Sequence, residues 1–409
     1  MSTKKGVKFM DRTIFLVDMD AFFISCEETR HPEIINRPAA VAGDPQKRSG
    51  IILTANYKAR NFGIKTTMTI NKALKLCPDL IIIPPDHNFY IKKSQQVFDI
   101  MSCYTPVIEE NSIDEAWLDM TGCERLIGNP MQAARHLMYD IKNELGLSCS
   151  IGISENKFLA KMASDMKKPS GITRLFKKDV PNKLWPLPVE YMYGIGKKTA
   201  VKLNKMKIKT IGELANFNKT ILLKKFGKFG GEIFNLANGI DNSQVVLHIK
   251  DDVKSIGKSM TLPEDISDIE MAKPILMQLS EEIGMCARKH NKRGCKVQIT
   301  IKYYNFHSIT RQTTIKATCL VKDIYSAGLK LLKKVWNVNM PVRLLGISLT
   351  GFENDRIKQI SIFDIINVEN KENSFYKYKR IEDAIDKIRL KYGNSIINRG
   401  IVINKNSKK

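Results

Sequence analysis

Short apolar runs and helical stretches alternate along the first part of the chain. Residues 13–23 form an apolar run that carries Asp18 and Asp20 towards its end, a pattern typical of a buried strand that delivers carboxylates to the rim of a sheet. Further strands and helices are predicted by apolar runs and helical spacing at 39–42, 50–54, 55–62 and 70–77. These elements predict a small α/β insertion after the first strand.

The residues that follow, to about 168, predict strands covered by helices. Residues 107–120 indicate a hairpin whose turn region carries Glu109, Glu110 and Asn111. The other predicted elements are a helix at 90–101, a helix at 130–145, a strand at 148–154 and a helix at 155–168. Elements in this order predict an α+β sheet layered with helices.

The second half of the chain predicts a helical unit and then a mixed domain. Residues 177–243 are helical by pattern, and a Lys-rich joint near 250–258 follows. The mixed domain is expected to alternate amphipathic helices with strands, at 268–290, 296–303, 308–315, 321–335 and 342–350. Polar residues dominate after about 353, so we expect 367–374 to be a linker and 381–390 a helix.

Composition adds a large excess of positive charge. Lys and Arg number 66 against 42 Asp and Glu, a formal net charge of +24. The excess is concentrated between residues 177 and 258, where 16 lysines and no arginine stand against 7 acids. Such an excess repels itself unless an anion is bound, so nucleic acid is the first candidate partner. The alternative is a Lys-rich surface from a Lys-, Ile- and Asn-rich proteome, so charge alone does not decide the function.

The sequence disfavours membrane proteins and zinc proteins. No run approaches the roughly eighteen apolar residues of a membrane span, and the apolar stretch 14–17 is too short for a signal sequence. The 8 cysteines form no CxxC pair and have no His at metal-ligand spacing. We therefore expect a cytoplasmic protein with reduced cysteines and no membrane partner.

Two acidic clusters are the strongest candidates for metal chemistry. Asp18 and Asp20 are two residues apart and leave the predicted strand on one face, while Asp114 and Glu115 are adjacent in an apolar stretch. Buried acids of like charge are costly without a cation, and hard oxygen ligands suit Mg²⁺. Two such ions can stabilise both oxygens of an in-line phosphoryl displacement. The alternative is that these acids are exposed strand ends paired with lysine.

A second group of residues is suited to a triphosphate. Thr54, Tyr57 and Arg60 fall in one short stretch, and Tyr57 and Arg60 are three apart on one helical face. A guanidinium and a phenol hydroxyl can both donate hydrogen bonds to phosphate oxygens. Lys168, just before Pro169 ends a helix, is a further phosphate contact by position. The alternative for Tyr57 and Arg60 is an exposed arginine beside a tyrosine that covers the core.

The segment 193–214 predicts a phosphate-binding pair of short helices. Gly194 and Gly196 flank one hydrophobic residue in the turn, and Lys197 and Lys198 follow. Such a turn exposes backbone N–H groups at a helix N-terminus, which can bind a DNA phosphate without reading sequence. A Walker A loop does not fit, because tyrosine stands where its first glycine would be and lysine where its Ser or Thr would be.

Four motifs in this order resemble one family. They are FLVDMDAFF (15–23), ANYKARNFG (55–63), NSIDEAWLDM (111–120) and GISENKFLAKMASDMKKPSG (152–171). They are similar to motifs of the Y-family DNA polymerases of the polymerase IV and V type, and the resemblance covers about residues 10–352. It implies a multidomain α+β fold, a right-hand polymerase with palm, fingers, helical thumb and an α/β little-finger domain. Its domains would be the palm at 10–28 and 86–176, the fingers at 29–85, the thumb with a helix-hairpin-helix at 177–245, the little finger at 250–352 and a C-terminal tail at 353–409.

The resemblance also implies roles for individual residues. Asp18, Asp114 and Glu115 would be the ligands of two Mg²⁺ ions, and Met19 would add its backbone carbonyl. Phe23 would be the steric gate that excludes a ribose 2′-hydroxyl, a role compatible with a core Phe next to Phe22. The nucleotide-binding residues would be Phe23, Thr54, Tyr57, Arg60 and Lys168, and the DNA-binding residues Gly194, Gly196, Lys197 and Lys198.

A peptide in the tail resembles the sliding-clamp peptide of these polymerases. QISIFD (359–364) offers Gln359 and the apolar anchors Ile362 and Phe363 to a hydrophobic groove; the alternative is a strand that packs on the little finger. In the usual polymerase IV pattern this peptide ends the chain, whereas about 45 residues follow it here. This departure leans towards the polymerase V-like branch.

The expected activity is low-fidelity, template-directed DNA synthesis across damaged templates. The chain would act as a monomer on primer-template DNA and dNTP, with the bacterial beta clamp as partner, and would lie on the nucleoid when bound to DNA. Two other classes stay open from the residues alone. A nucleotide cyclase could share paired acids and two metals, and a non-catalytic DNA-binding or repair accessory protein would keep the charge and the helical hairpin.

Overall fold

The computed structural model describes residues 12–44, 50–247, 253–352, 368–393 and 396–401, with side chains of the last long helix from 375 onwards. The chain forms two compact units, the first from residues 1–46 and 50–248 and the second from 47–49 and 249–409. Within the described ranges, no helix is long and apolar enough to cross a membrane.

The first unit contains a five-stranded sheet and a three-stranded sheet. Its strands are β1 (Ile14–Met19), β2 (Ala39–Ala42), β3 (Ile52–Ala55), β4 (Ile81–Ile83), β5 (Ile108–Glu110), β6 (Glu115–Asp119), β7 (Cys149–Ser154) and β8 (Ile172–Arg174). The order of strands is β5-β6-β1-β7-β8 in the larger sheet and β3-β2-β4 in the smaller one. The larger sheet therefore has β1 at its centre.

Helices cover both sheets and form a separate bundle at the end of the first unit. The helices of the sheet region are α1 (Phe22–Arg30), α2 (Tyr57–Asn61), α3 (Ile70–Leu76), α4 (His87–Ser102), α5 (Glu124–Ile127), α6 (Pro130–Leu145) and α7 (Lys157–Met166). Those of the bundle are α8 (Lys197–Lys205), α9 (Ile211–Ala215), α10 (Lys219–Phe226) and α11 (Lys228–Ala237). The bundle has its own buried core, to which α7 also contributes.

The central strand β1 is buried on both faces. All six of its residues are buried, and alternate side chains enter different clusters, because successive residues of a strand point to opposite faces. Phe15 and Val17 pack in the main core, whereas Ile14 and Leu16 pack with a smaller group that includes Ala160 of α7. Asp18 follows Leu16 at the same spacing, so its side chain leaves on the face that α7 covers.

Helix α7 lies unusually close to the sheet because β7 contains a glycine. The side chain of Asn156 caps the helix by accepting a hydrogen bond from the N–H of Leu159 at 2.8 Å. A Cβ atom added to Gly152 would lie 1.9 Å from the carbonyl oxygen of Ala160 and 2.5 Å from the backbone nitrogen of Ser164. Only glycine permits this approach, which brings the polar side of α7 to the end of β1.

The second unit is a four-stranded antiparallel sheet with helices on one face. Its strands are β9 (Ser255–Ile266), β10 (Gly294–Tyr303), β11 (Ser308–Thr318) and β12 (Val342–Phe352), in the order β11-β10-β12-β9. Its helices are α12 (Ile269–Lys289), α13 (Val321–Val335) and α14 (Val368–Tyr392). Strand β10 alternates buried Val297 and Ile299 with the polar residues Lys296 and Gln298, as expected of a sheet with one covered face.

A buried ionic cluster attaches α14 to the rest of the second unit. The side chain of Arg288 on α12 is 5% exposed; it donates to Asp386 at 2.7 Å and also to Glu382. Glu382 in turn accepts from the N–H of Val321 at 3.2 Å and from Arg399 at 3.0 Å. Because the loss of one partner would leave a buried charge unpaired, this cluster holds the helix in one position.

The α+β class and most predicted elements are confirmed, but three details of the prediction are wrong. Glu109 and Glu110 lie in β5 and the turn is 111–114; Glu109 is held there by an ion pair with Lys157 at 2.6 Å. Strand β9 begins inside the predicted Lys-rich joint, because its polar residues lie on the open face of the sheet. Helix α14 begins at residue 368 inside the predicted linker, because ion pairs farther along the helix stabilise it.

The packing of α7 can be tested by adding one methyl group. We expect Gly152→Ala to lower the free energy of unfolding by about 3 kcal/mol, the upper end of the usual cost of overpacking, because the methyl group would meet backbone atoms that cannot rotate away. Thermal unfolding measures the effect. Gly400→Ala is the matched control, since an added Cβ there meets nothing within 4 Å; equal melting temperatures of the two variants would contradict the packing argument.

Candidate functional site

The end of β1 brings the two predicted acidic clusters together. Asp18 is paired in register with Glu115 on β6, so their side chains lie on the same face of neighbouring strands. The N–H of Met19 donates to the carbonyl oxygen of Asp114 at 2.9 Å. The sequence predicted that Asp114 lies within a strand. In the structure it lies in the turn just before β6. The three predicted metal ligands are therefore neighbours in space.

Two lysines of the α7 region bind the carboxylates. The ammonium of Lys161 lies 2.9 Å from Asp18 Oδ2 and 2.7 Å from Glu115 Oε2, so one cation bridges both acids. Lys168 lies 2.7 Å from the same Asp18 oxygen. Asp165 contacts both lysines, at 3.6 Å from Lys161 and 2.9 Å from Lys168. The site is thus a compact, half-buried network of alternating charges.

The lysines keep Asp18 ionised in spite of its burial. Burial alone would raise the pKa of Asp18, but the charges and hydrogen bonds of Lys161 and Lys168 outweigh it, and the pKa is lowered. Burial would lower the pKa of both lysines, and the negative charge of Asp18 outweighs that effect, so each lysine has a raised pKa. Asp18, Lys161 and Lys168 are therefore charged at neutral pH.

The donor set fits a hard divalent cation. Two carboxylate oxygens that converge on one ammonium can converge on a metal ion, and Mg²⁺ prefers oxygen ligands of this kind. As the side chains stand, no group of three His, Cys, Asp or Glu residues in the described ranges is arranged to hold a metal. The side chain of Asp114 instead accepts a hydrogen bond from the Ser112 hydroxyl at 2.5 Å. Asp114 is thus not grouped with Asp18 and Glu115 around one point as its side chain stands.

Asp20 connects the site to its surroundings. Its carboxylate accepts from the Ser150 hydroxyl at 2.8 Å, from the N–H of Ser170 at 2.8 Å and from the Tyr57 hydroxyl at 3.4 Å. Ser150 is paired in register with Asp18, so Asp20 lies on the same face, as predicted. Asp20 is 3% exposed. It acts as the acceptor that fixes the turn after α7 and the position of Tyr57.

The residues predicted to bind a triphosphate include Tyr57, whose hydroxyl donates to Asp20. The guanidinium of Arg60 lies over the ring of Tyr57, 4.7 Å from its centroid, and its Nε donates to the Ala55 carbonyl at 2.9 Å. Burial and the nearby charge of Asp20 raise the pKa of Tyr57 to about 12, so its hydroxyl keeps its proton. Thr54 lies half-buried on β3. Arg60 is exposed and its charge faces no carboxylate among the described residues.

Phe23 lies at the start of α1, a few residues after the acids. Its ring stacks on Tyr90 with a centroid distance of 4.5 Å and an interplanar angle of 15°. Tyr90 is completely buried and donates its hydroxyl hydrogen to Glu27 at 2.7 Å. Phe23 itself is half-buried and packs against the main core. The ring is thus held rigidly from one side, which suits a steric wall.

The predicted phosphate-binding turn is present in the helical bundle. Gly194 has φ +90°, a conformation that favours glycine, and Gly196 is the residue before the first turn of α8. Within this described segment, no side chain caps the helix. Lys197 and Lys198 are exposed in its first turn. The backbone N–H groups and two ammonium groups can therefore face the same anion.

One predicted group lies outside the described residues, and one residue that was not predicted is central to the site. Gln359, Ile362 and Phe363 lie outside the described residues. Lys161, which bridges two carboxylates, was not among the predicted site residues. Its spacing of four and seven residues from Lys157 and Lys168 was the available signal, because residues at that spacing share a helix face.

Comparisons with known proteins agree with this architecture. The impB/mucB/samB family matches residues 17–165, its C-terminal domain matches 253–362, and the HHH motif of the IMS family matches 177–208. A DNA polymerase IV from Clostridium kluyveri is 66% identical over 97% of this chain and 99% of its own length. One from Alkaliphilus oremlandii is 54% identical over 96% of this chain and 100% of its own length.

A solved structure is also similar. A Y-family DNA polymerase chimera has a TM-score of 0.74 and 25% identity, and covers 83% of this chain and 99% of its own. The right-hand α+β architecture implied by the sequence motifs is confirmed.

The relatives also correct one inference from the tail. Because the two DNA polymerase IV relatives align over nearly the whole chain, its length beyond 359–364 no longer favours the polymerase V-like branch. The chain therefore belongs to the impB/mucB/samB family, whose fold here is that of the Y-family DNA polymerases.

Proposed function

We propose that Asp18, Asp114 and Glu115 hold two Mg²⁺ ions at which this translesion DNA polymerase joins a dNTP to the 3′-hydroxyl of a primer. The observation that carries the proposal is the convergence of Asp18 and Glu115 on one cation, at 2.9 and 2.7 Å. Bound ions would stabilise the attacking and leaving oxygens of the in-line displacement. The backbone carbonyl of Met19, between Asp18 and Asp20, is proposed as a further ligand.

The remaining residues of the site are proposed to bind the triphosphate. Arg60 is exposed and supplies a planar, permanently charged guanidinium, and Tyr57 supplies a protonated hydroxyl. Lys168 supplies a flexible cation that contacts Asp18 in this structure. Together with Thr54 on β3, these groups would neutralise the charge that develops as pyrophosphate leaves. Lys161 would no longer bridge Asp18 and Glu115 when these carboxylates bind metal ions.

The other two classes of function are disfavoured. A nucleotide cyclase would share acids and metals but has no need of the turn at Gly194 and Gly196 or of a net charge of +24. A non-catalytic DNA-binding protein would not require Asp18 and Glu115 to converge on a cation. The family, with relatives named DNA polymerase IV, supports the polymerase.

DNA binding is proposed to use several basic surfaces. We assign the palm to 10–28 and 86–176, the fingers to 29–85, the thumb to 177–245 and the little finger to 250–352. Lys197 and Lys198 at the start of α8 would contact phosphates in the thumb, and Lys296 and Lys302 lie on the open face of the little-finger sheet. Contacts of this kind are blind to sequence and weaken as salt rises.

The tail is proposed to connect the enzyme to a sliding clamp. Gln359, Ile362 and Phe363 match the clamp peptide of related polymerases, in which apolar anchors enter a hydrophobic groove. The chain would otherwise act as a monomer in the bacterial cytoplasm and reach the nucleoid through DNA. The tail after this peptide is not a free end, since α14 docks on α12 through Arg288.

The metal-site proposal predicts a loss of chemistry without a loss of binding. We expect Asp114→Ala to reduce primer extension by at least about 100-fold, because a group that stabilises the transition state is removed. Binding of primer-template DNA should survive. Glu144→Ala, which removes an exposed acid from the same unit, is the control and should extend primers normally. Unchanged extension by the Asp114 variant would refute the assignment.

The steric gate predicts a change of sugar selectivity. We expect Phe23→Ala to lower the preference for dNTP over rNTP by at least about tenfold, because the ring no longer fills the space of the 2′-hydroxyl. Single-nucleotide incorporation with each sugar measures the ratio. Phe22→Leu is the control, since Phe22 is 3% exposed in the core and its change should leave selectivity intact. A Phe23 variant as strict as the unmodified enzyme would mean that another residue excludes ribose.

The clamp peptide predicts a loss of one interaction only. We expect Phe363→Ala to weaken binding to the beta clamp by at least about tenfold, because a buried aromatic anchor is lost. Primer extension without the clamp should not change. Asn354→Ala, in the same segment but outside the peptide, should bind the clamp normally. Equal clamp affinity of both variants would exclude Phe363 as an anchor.

A further inference from the structure

A cleft of about 750 Å³ lies in the second unit between β11, α13 and α14. We call it the α14 cleft. Its floor is formed by residues 313–318 of β11, one wall by α13 and the other by the first described side chains of α14, Phe375, Tyr376 and Tyr378. Its volume falls within the range of roughly 300–1,000 Å³ that is typical of ligand sites. It is separate from the acidic site, which lies in the first unit.

The α14 cleft is strongly basic. Its cationic residues are Arg293, Lys316, Lys322, Lys330, Lys333 and Lys334. The acid in its lining, Asp323, already accepts a hydrogen bond from the Thr318 hydroxyl at 2.7 Å. In the part of the chain that the structure describes, none of these lysines forms an ion pair with a carboxylate. Five lysines around one cavity, without a carboxylate partner among the described side chains, favour an anionic ligand.

Aromatic rings accompany this charge. Tyr376 is 57% exposed and Tyr378 45% exposed, so large parts of both side chains are open to solvent. The ammonium of Lys322 lies 5.4 Å from the ring centroid of Tyr378. Positive charge next to exposed rings is the combination by which proteins bind single-stranded nucleic acid, since phosphates contact the cations and bases stack on the rings.

Arg293 at the end of the cleft retains hydrogen-bonding capacity. Its guanidinium lies over Phe375, 4.4 Å from the ring centroid, and one terminal nitrogen donates to the Ala317 carbonyl at 3.0 Å. Its Nε is buried, and among the described residues it has no acceptor. Arg293 therefore keeps one hydrogen-bond donor that no described group uses.

The wall made by α14 is held in place before any ligand binds. Arg288 joins α12 to Asp386 and Glu382 of α14, and Arg389 near the end of the helix binds Glu281 at 3.1 Å. The paired charges are largely buried, so their separation would be costly. Tyr376 and Tyr378 are therefore presented by a fixed helix and not by a free tail, which reduces the entropy lost on binding.

We propose that the α14 cleft binds single-stranded DNA, with its lysines on the phosphates and its tyrosines stacked on the bases. An acidic peptide would satisfy the lysines but would leave the exposed rings without planar partners. A template with a single-stranded overhang carries both phosphates and unpaired bases. The site is additional to the turn at Gly194 and Gly196 and to the open face of the little-finger sheet.

The proposal can be tested in the full chain with a reporter in the cleft. Tyr378→Trp places an indole in the wall, and we expect short oligothymidine to change its fluorescence when the enzyme is already saturated with primer-template DNA. Oligoglutamate is the competing probe. A response to oligoglutamate without a response to oligothymidine would overturn the proposal in favour of an acidic peptide, and no response to either would overturn it altogether.

Charge reversal provides an independent measurement. In the full chain saturated with primer-template DNA, we expect Lys330→Glu with Lys333→Glu to weaken oligothymidine binding at least tenfold. The slope of log affinity against log salt should fall by about 1.4, which corresponds to two single-strand phosphate contacts. Lys289→Glu with Lys387→Glu changes the net charge equally outside the cleft and is the control. Equal weakening by both pairs would overturn the proposal, and melting temperatures confirm that both variants are folded.

Discussion

The meeting of Asp18 and Glu115 across paired strands, with the ammonium of Lys161 between them, is the constraint on which the first unit depends. Like charges this close require a cation, so the fold has to supply one or bind one. The buried strand β1 brings Asp18 to the edge of the core, and Gly152 lets α7 approach closely enough for its lysine to reach. Strand β1, Gly152 and the lysine-bearing face of α7 together place a cation between the two carboxylates.

The second unit solves a similar problem for a structural purpose. Arg288 is almost fully buried, and its charge is balanced by Glu382 and Asp386 from a helix that is distant in sequence. A buried network of this kind is not strong evidence for high stability, but a different docking position of the helix would leave buried charges unpaired. The tail helix α14 therefore belongs to the second unit.

A translesion DNA polymerase gains from contacts that ignore the template sequence. Damaged bases disturb base edges more than they disturb the phosphate backbone, and backbone contacts carry no sequence information. The basic surfaces of this chain suit that use: the start of α8 offers helix N–H groups and lysines, and one face of β10 offers further lysines. Lysine is concentrated between residues 177 and 258, which include the proposed thumb, and this distribution suits the proposed phosphate contacts.

The sequence by itself determined the local elements and the acidic residues, because strand alternation, helix spacing and motif identity are properties of neighbouring residues. It indicated β1, α7, the carboxylates and the turn at Gly194. Tertiary structure alone decided which groups meet. Lys161 and Asp18 are 143 residues apart, Ser170 and Asp20 are 150 apart, and Arg288 and Glu382 are 94 apart. The periodicity of apolar residues does not predict such contacts, because they depend on how helices and strands that are distant in sequence pack together. For the same reason, the sequence did not predict strand β9, the start of α14 or the α14 cleft.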